Sequence, residues 1–206
     1  MTRITKDPAE RRQELIDAAE QLFLENGYGQ TAISDIVKKL KVAQGTFYYY
    51  FQSKDDILDA VVEKNVAKLE TSIKQLTRNG NEDAAIRLNY AINGILEFVI
   101  PRKEVMNYIH QDINAVMHAR LERAAVERLI PILSDIVAEG TLQGRFRVNY
   151  PSESVEFLIA AIVYLFHQPQ IYLDQQHCER LCRTLEIMME KTLEVNDFKF
   201  KLKIQT

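Results

Sequence analysis

Apolar side chains recur at helical spacing from the start of the chain. Over residues 8–25 they follow the i, i+1, i+4, i+7, i+8 pattern that turns one stripe of a helix toward a core. The stripe consists of Leu15, Ile16, Ala19, Leu22 and Phe23. Gly27 stands where a left-handed C-terminal cap is expected, so the pattern predicts a first helix that ends just before it.

Two shorter helical patterns follow and are separated by a tight turn at residues 41–44. Thr31 is a favoured N-cap for the second helix, whose inward positions are Ile33, Ile36, Val37 and Leu40. The third helix, residues 45–51, carries the aromatic run Phe47, Tyr48, Tyr49, Tyr50 and Phe51. Two short helices joined by a few residues, with lysines around the turn, predict a helix-turn-helix.

The rest of the chain is predicted to be a series of longer helices. Ser53 and Asp56 have capping-box spacing at the start of a fourth helix, and the segment 79–81, Asn-Gly-Asn, ends it. Apolar periodicity then predicts helices over 82–100, 102–118, 121–142 with a kink at Pro131, 152–167 and 175–195. Residues 198–204 alternate with period two and predict a short strand that pairs with another segment.

This pattern predicts an all-α fold of about nine helices in two domains. Residues 1–53 form a three-helix DNA-binding domain of the helix-turn-helix type, and residues 54–206 form a larger helical domain. Seven glycines and five prolines in 206 residues are fewer turn residues than a many-stranded barrel needs. No apolar run is long and uninterrupted enough to span a bilayer, and no apolar secretory signal opens the chain. Two cysteines without such a signal favour the reducing cytoplasm.

The charge distribution points to a phosphate-bearing partner more clearly than the total charge does. The net charge is −3, which does not by itself indicate nucleic acid. Between Asp35 and Asp55, however, every charged residue is basic, and a concentrated cationic face suits contact with phosphates. These residues are Lys38, Lys39, Lys41 and Lys54. The alternative for the first three is an ordinary solvated helix face.

Three motifs at fixed spacing carry a family resemblance over residues 11–62. They are Arg12-x-x-Leu15-Ile16-x-Ala18-Ala19-x-x-Leu22-Phe23-x-x-x-Gly27-Tyr28, then Thr31-x-Ile33-x-x-Ile36-Val37, then Val42-x-x-Gly45-Thr46-Phe47-Tyr48-Tyr49-Tyr50-Phe51-x-Ser53-Lys54-x-x-Ile57-Leu58. The segment resembles the N-terminal domain of the TetR family of transcriptional regulators. The remaining three-quarters of the chain matches only in helix pattern and in the loop Gly140…Gly144-x-Phe146. Lys41 replaces a common turn glycine, and Ala43 replaces a common capping serine.

The chemistry of the third helix predicts how it meets DNA. A helix of this size fits the major groove, with Phe47 and Phe51 anchoring its inner side. Gln44 suits an adenine edge, and Thr46 suits a thymine methyl or a phosphate. Gly45 allows close approach of the backbone to DNA. The hydroxyls of Tyr48 and Tyr49, the helix start at Thr31 and the ammonium of Lys54 suit contacts with phosphates. The predicted DNA-binding residues are Thr31, Lys41, Gln44, Gly45, Thr46, Tyr48, Tyr49 and Lys54.

The resemblance implies that the larger domain dimerises and encloses a small organic effector. The helices 152–167 and 175–195 are too apolar to face water, which predicts a four-helix dimer interface that includes Ile159 and Leu185. Amides, imidazoles and phenols on helices with apolar walls suit an organic ligand. The predicted effector residues are Tyr90, Asn93, Tyr108, Gln111, Asn114, His118, Tyr164 and His167. The alternative for each is a solvent-facing or internally satisfied polar group.

These features predict a sequence-specific repressor that leaves its operator when the effector binds. A DNA-bound scaffold without an effector is one alternative, and a helical enzyme is another. No nucleophile elbow, phosphate loop or clustered metal motif is present, so we expect no catalysis, no cofactor and no metal. Cys178 and Cys182, one helical turn apart beside His177, suit plain packing better than metal or redox sensing.

Overall fold

The computed structural model describes residues 7–78, 82–99, 114–166 and 174–203, and these residues form eight α-helices. They are α1 (Pro8–Asn26), α2 (Ile33–Leu40), α3 (Gln44–Tyr50), α4 (Lys54–Leu76), α5 (Ala84–Val99), α6 (Ala115–Leu142), α7 (Pro151–Phe166) and α8 (Gln175–Thr192). The predicted all-α class is confirmed. None of the described helices is long and apolar enough to cross a membrane.

The chain divides into two compact units. Among the described residues, unit 1 holds 7–66 and 114–124, and unit 2 holds 67–78, 82–99, 125–166 and 174–203. Unit 1 therefore extends beyond residue 53, where the sequence placed the domain boundary. It includes the first half of α4 and the start of α6 in addition to the helix-turn-helix.

The core of unit 1 forms as the apolar spacing predicts. The whole predicted stripe of α1 is buried, and Ile36 and Val37 of α2 are buried with it, whereas Ile33 and Leu40, also predicted to face inward, are half-buried. Asp7 begins α1 by accepting a hydrogen bond from the backbone N–H of Ala9 at 2.8 Å. Gly27, with φ of 86°, ends α1 at the predicted position, and its N–H donates to the carbonyl of Phe23.

The core of unit 2 includes a close contact that only glycine permits. A Cβ built on Gly140 would lie 2.5 Å from two ring atoms of Phe146. Because Gly140 has no side chain, the loop after α6 folds back and buries the Phe146 ring. Gly144, with φ of 72°, provides the left-handed residue of that loop. The spacing Gly140…Gly144-x-Phe146 thus has a structural cause.

Two sequence predictions about secondary structure are wrong, one about a helix and one about a strand. The predicted break between His118 and Leu121 does not exist, because α6 continues from Ala115 to Leu142 and no glycine or proline interrupts it there. Pro131 lies inside this helix. The described part of the predicted 198–204 strand, residues 198–203, is extended but belongs to no sheet.

Candidate nucleic-acid interface

The inner side of α3 is fixed by two buried phenylalanines. Phe47 is 0% and Phe51 is 1% exposed, and their ring centroids lie 5.8 Å apart. The guanidinium of Arg12 lies over the Phe51 ring at 5.0 Å from its centroid, a cation–π geometry that joins α1 to the end of α3. The sequence motif contained Arg12 without indicating this role. These contacts orient α3 on unit 1.

The opposite side of α3 is open to solvent. Gln44 and Gly45 are exposed, and so are Tyr48 at 53% and Tyr49 at 76%; Thr46 is half-buried. Among the described residues, no atom lies within 4 Å of a Cβ built on Gly45, so none of them hinders the approach of DNA there. Four of these five residues are thus exposed, and Thr46 is half-buried. We call the set Gln44, Gly45, Thr46, Tyr48 and Tyr49 the α3 face.

The turn between α2 and α3 holds an exposed lysine in a left-handed conformation. Lys41 has φ of 54° and ψ of 44°. Its N–H donates to the Lys38 carbonyl, and the N–H of Val42 donates to the Val37 carbonyl, which is the Schellman pattern. Position 41, where the family commonly has a turn glycine, thus has a positive φ, which costs about 1–2 kcal/mol for a residue other than glycine. Lys38, in the last turn of α2, and Lys41, in the turn before α3, are both exposed.

Thr31 does not cap α2. The N-cap is Ala32, whose backbone N–H donates to the carboxylate of Asp35 at 2.8 Å. Thr31 is 1% exposed, and the single proton of its hydroxyl is shared between two carbonyl oxygens, that of Gly27 at 2.8 Å and that of Leu22 at 3.1 Å. The prediction of a cap was therefore wrong, and the buried hydroxyl gives no support to a phosphate contact.

Lys54 is directed into unit 1 instead of away from it. Its ammonium donates to the carbonyls of Tyr28 at 2.8 Å, Thr31 at 2.9 Å and Gly29 at 3.3 Å. It also lies 4.5 Å from the centroid of the Tyr28 ring. An ammonium has three protons, and this loop accepts all three. The structure therefore supports a role for Lys54 in holding residues 28–31 in place, in contrast to the predicted phosphate contact.

A polar cluster beside this loop includes residues that the sequence did not single out. Arg120 of α6 pairs with Asp59 at 2.6 Å and also with Asp55, both on α4. Burial and then the Asp55 carboxylate raise the pKa of the Tyr28 phenol. Asn114, which is fully buried, accepts a hydrogen bond from the Tyr28 N–H at 3.3 Å. The start of α6 is thereby bonded to the loop that precedes the helix-turn-helix.

The candidate effector residues have different surroundings. Asn114 and His118 belong to unit 1, whereas Tyr90, Asn93 and Tyr164 belong to unit 2. Tyr90 is 43% and Tyr164 is 69% exposed, and the amide of Asn93 bonds to the C-terminal segment. Three further candidates, Tyr108, Gln111 and His167, lie outside the described residues. The effector site stays a prediction.

The two cysteines are packed inside unit 2. Cys178 and Cys182 are each 5% exposed. Burial raises the pKa of both thiols, that of Cys182 to about 12, so little reactive thiolate forms at neutral pH. Within the described ranges no three histidine, cysteine or acidic side chains are grouped as metal ligands. These observations favour packing.

Comparison with known proteins agrees with this architecture. The model of bacterial regulatory proteins of the tetR family matches residues 15–61, and the model of the tetracyclin repressor-like C-terminal domain matches residues 98–184. A Staphylococcus aureus HTH-type transcriptional regulator is 28% identical over 53% of this chain and 58% of its own length. The Bacillus subtilis fatty acid metabolism regulator protein is 36% identical over 34% of this chain and 38% of its own.

One solved structure shows how far the fold likeness extends. The transcriptional regulator FadR from Bacillus subtilis, in complex with stearoyl-CoA, matches with a TM-score of 0.60 at 20% identity, covering 88% of this chain and 95% of that one. The chain spans about half the length or less of the first two curated relatives. The helix-turn-helix geometry and the two family models together show that this chain belongs to the TetR family of bacterial regulatory proteins.

Proposed function

We propose that this chain is a dimeric regulator that binds a specific DNA sequence in the cytoplasm and represses transcription there. The observation that carries the proposal is the α3 face, which is exposed on a helix whose other side is fixed by Phe47 and Phe51. Such a helix presents hydrogen-bonding side chains to the major groove without having to order itself first. Selection of duplexes from a random pool by the purified protein tests this. We expect a palindromic site with half-sites about 34–36 Å apart, and failure to enrich any sequence contradicts it.

An exposed stripe on α7 and α8 supports dimerisation. Phe157 is 57%, Tyr164 69% and Ile187 51% exposed, although all three are large apolar or aromatic side chains. Ile159 and Leu185, which the sequence placed in the interface, are 1% and 3% exposed within the protomer and belong to its own core. The interface helices proposed from the sequence are retained, but a different side of each helix meets the partner.

Replacing Ile187 by aspartate is expected to convert the dimer to monomer. Because a two-fold axis places the change on both protomers, a loss of about 2 kcal/mol of association free energy per copy occurs twice. The dimer dissociation constant should therefore rise about 10³-fold. Sedimentation velocity over a concentration series measures this. Leu142→Asp is the matched control, since Leu142 is 90% exposed at the end of α6 and outside the proposed interface. A dimer constant unchanged by Ile187→Asp would refute the assignment.

The proposed repressor is released from DNA by a small organic effector. An effector acts only if it prefers the conformation that binds DNA poorly. The FadR likeness makes a long-chain acyl-CoA a reasonable first class of ligand. Asn114 supports a link to DNA binding: its amide nitrogen is buried without a hydrogen-bond partner in the described part of the chain, while its oxygen holds the Tyr28 N–H. A ligand oxygen bound by that nitrogen would act directly on the loop before α2.

Substituting alanine for Asn114 is expected to remove the response to ligand. With stearoyl-CoA as the probe, wild-type affinity for the selected duplex should fall about 5- to 150-fold, the range of ordinary couplings. In Asn114→Ala the fall should shrink to less than twofold, whereas Asn149→Ala, changed at an exposed loop position, should respond like the wild type. Fluorescence anisotropy of labelled duplex measures both. An undiminished response in Asn114→Ala would exclude its role, and no response in the wild type would exclude this ligand class.

A further inference from the structure

The C-terminal segment 198–203 lies extended against unit 2 with alternate side chains turned inward. Phe200 is 1% exposed, and its ring meets that of Phe198 edge-to-face with centroids 5.2 Å apart. Lys199, Lys201 and Lys203 point to solvent, and Lys199 pairs with Glu190 of α8 at 2.6 Å. The period-two pattern thus predicted the extended backbone correctly. The segment is nevertheless bonded to helices and not to another strand.

Side chains of α5 bond one edge of this segment. The N–H of Lys201 donates to the amide oxygen of Asn89 at 2.9 Å. The N–H of Lys203 donates to the amide oxygen of Asn93 at 2.7 Å, and the Asn93 amide nitrogen donates to the Lys201 carbonyl at 3.0 Å. Because Asn89 and Asn93 are four residues apart, they lie one above the other on α5. Their amides therefore match backbone groups two residues apart.

A buried carboxylate of α8 bonds the other edge. The N–H of Leu202 donates to Glu186 at 2.8 Å, and Glu186 is only 7% exposed. Successive N–H groups of an extended chain point in opposite directions. The N–H groups of Lys201 and Lys203 therefore reach α5, while that of Leu202 reaches α8. The segment lies between the two helices and is hydrogen-bonded to both.

We propose that Asn89, Asn93 and Glu186 form a receptor for an extended peptide, and that residues 198–203 occupy it as a strap that ties α5 to α8 within one protomer. All of these hydrogen bonds go to backbone groups, so they select an extended conformation. The buried Phe200 ring selects an aromatic or large apolar side chain. Because Glu186 precedes Ile187, the strap also holds α8 next to the proposed dimer interface. Any effect of the strap on dimerisation rests on the proposed dimer, whereas the peptide site itself does not.

Limited trypsin digestion of the full-length protein tests the strap. Trypsin cleaves after lysine only where several residues are free of the fold, so Lys199, Lys201 and Lys203 report release of the segment. In the double variant Asn89→Ala/Asn93→Ala we expect cleavage at these lysines to accelerate about tenfold or more relative to wild type, as measured by mass spectrometry. Tyr90→Ala, at an exposed position between the two asparagines, should leave the rate unchanged.

The peptide site is tested separately by adding a peptide to a full-length variant, Phe200→Ala, in which loss of the buried ring should displace the strap. A labelled peptide with the sequence of residues 197–206 should bind full-length Phe200→Ala at least tenfold more tightly than it binds wild type, whose site is filled. Binding should fall again when Asn89→Ala and Asn93→Ala are added to Phe200→Ala. Circular dichroism confirms that each variant keeps its helices. The proposal would be overturned if trypsin cleaved the wild-type lysines as fast as those of the free peptide. It would also be overturned if protection of these lysines fell on dilution, because a second copy of the chain would then supply the strap.

Discussion

Phe47→Ala is expected to destabilise the helix-turn-helix strongly and to abolish specific DNA binding with it. Phe47 is fully buried, and truncating a buried phenylalanine to alanine costs about 3–5 kcal/mol through lost burial and the cavity left behind. The free energy of unfolding of unit 1 should fall by that amount in urea titrations followed by circular dichroism. Specific DNA binding should fall with it, because α3 loses its attachment to the rest of unit 1.

Tyr49→Ala is the matched control for Phe47→Ala. Tyr49 lies on the same helix two residues later and is 76% exposed, so its removal should change the free energy of unfolding by no more than about 0.5 kcal/mol. If Tyr49→Ala destabilises the protein as much as Phe47→Ala does, α3 is not oriented as described.

Lys54→Met is expected to lower both stability and DNA affinity without changing the salt dependence of binding. Methionine keeps the length of the side chain but leaves the carbonyls of Tyr28, Gly29 and Thr31 without their shared donor. Charge-assisted hydrogen bonds are worth about 1.5–3 kcal/mol, so the free energy of unfolding should fall by about 2 kcal/mol. A displaced 28–31 loop should weaken binding to specific and random duplexes alike.

The comparison with Lys41→Met separates positioning from phosphate contact. Lys41 is exposed in the turn before α3, so its loss should leave stability within about 0.5 kcal/mol. It should reduce the slope of log affinity against log salt by about one, as expected for one lost phosphate contact. If Lys54→Met were as stable as wild type but reduced the slope of log affinity against log salt by about one, the result would favour the phosphate contact predicted from the sequence.

Apolar periodicity predicted the parts of the fold that depend on burial. The buried stripe of α1 and the burial of Phe47 and Phe51 follow directly from helical spacing, because only one side of a helix faces the core. The exposure of Tyr48 and Tyr49 follows by exclusion. Helical spacing is therefore sufficient to predict which residues form the α3 face.

Polar side chains were harder to predict because their partners are distant in sequence and are often backbone atoms. Thr31 and Lys54 both bond carbonyl oxygens, which every residue has, so no residue pattern marks those partners. Asn93 has the composition expected of a ligand-binding residue but bonds a segment 108 residues away. Arg120 pairs with aspartates 61 and 65 residues earlier, and charge alone does not identify which acid a given arginine meets.

The sides of α7 and α8 show a related limit. Ile159 and Leu185 satisfy the same apolar criterion as Phe157 and Ile187, since both helices are apolar on more than one side. Sequence periodicity locates the helices but does not say which apolar side meets the protomer core and which meets a partner. The exposed fractions place Ile159 and Leu185 in the protomer core and leave Phe157 and Ile187 available for the proposed interface.

Binding of wild-type protein and Gln44→Ala to the selected operator and to a scrambled duplex, across a salt series, tests the central claim most directly. Gln44 begins α3 and is exposed, and we propose that its amide bonds a base edge. We expect Gln44→Ala to lose about 1–3 kcal/mol of binding free energy on the operator and almost none on the scrambled duplex. The slope of log affinity against log salt should stay unchanged, and the base preference should relax at one position in each half-site. Equal weakening on both duplexes would contradict recognition of DNA through the α3 face.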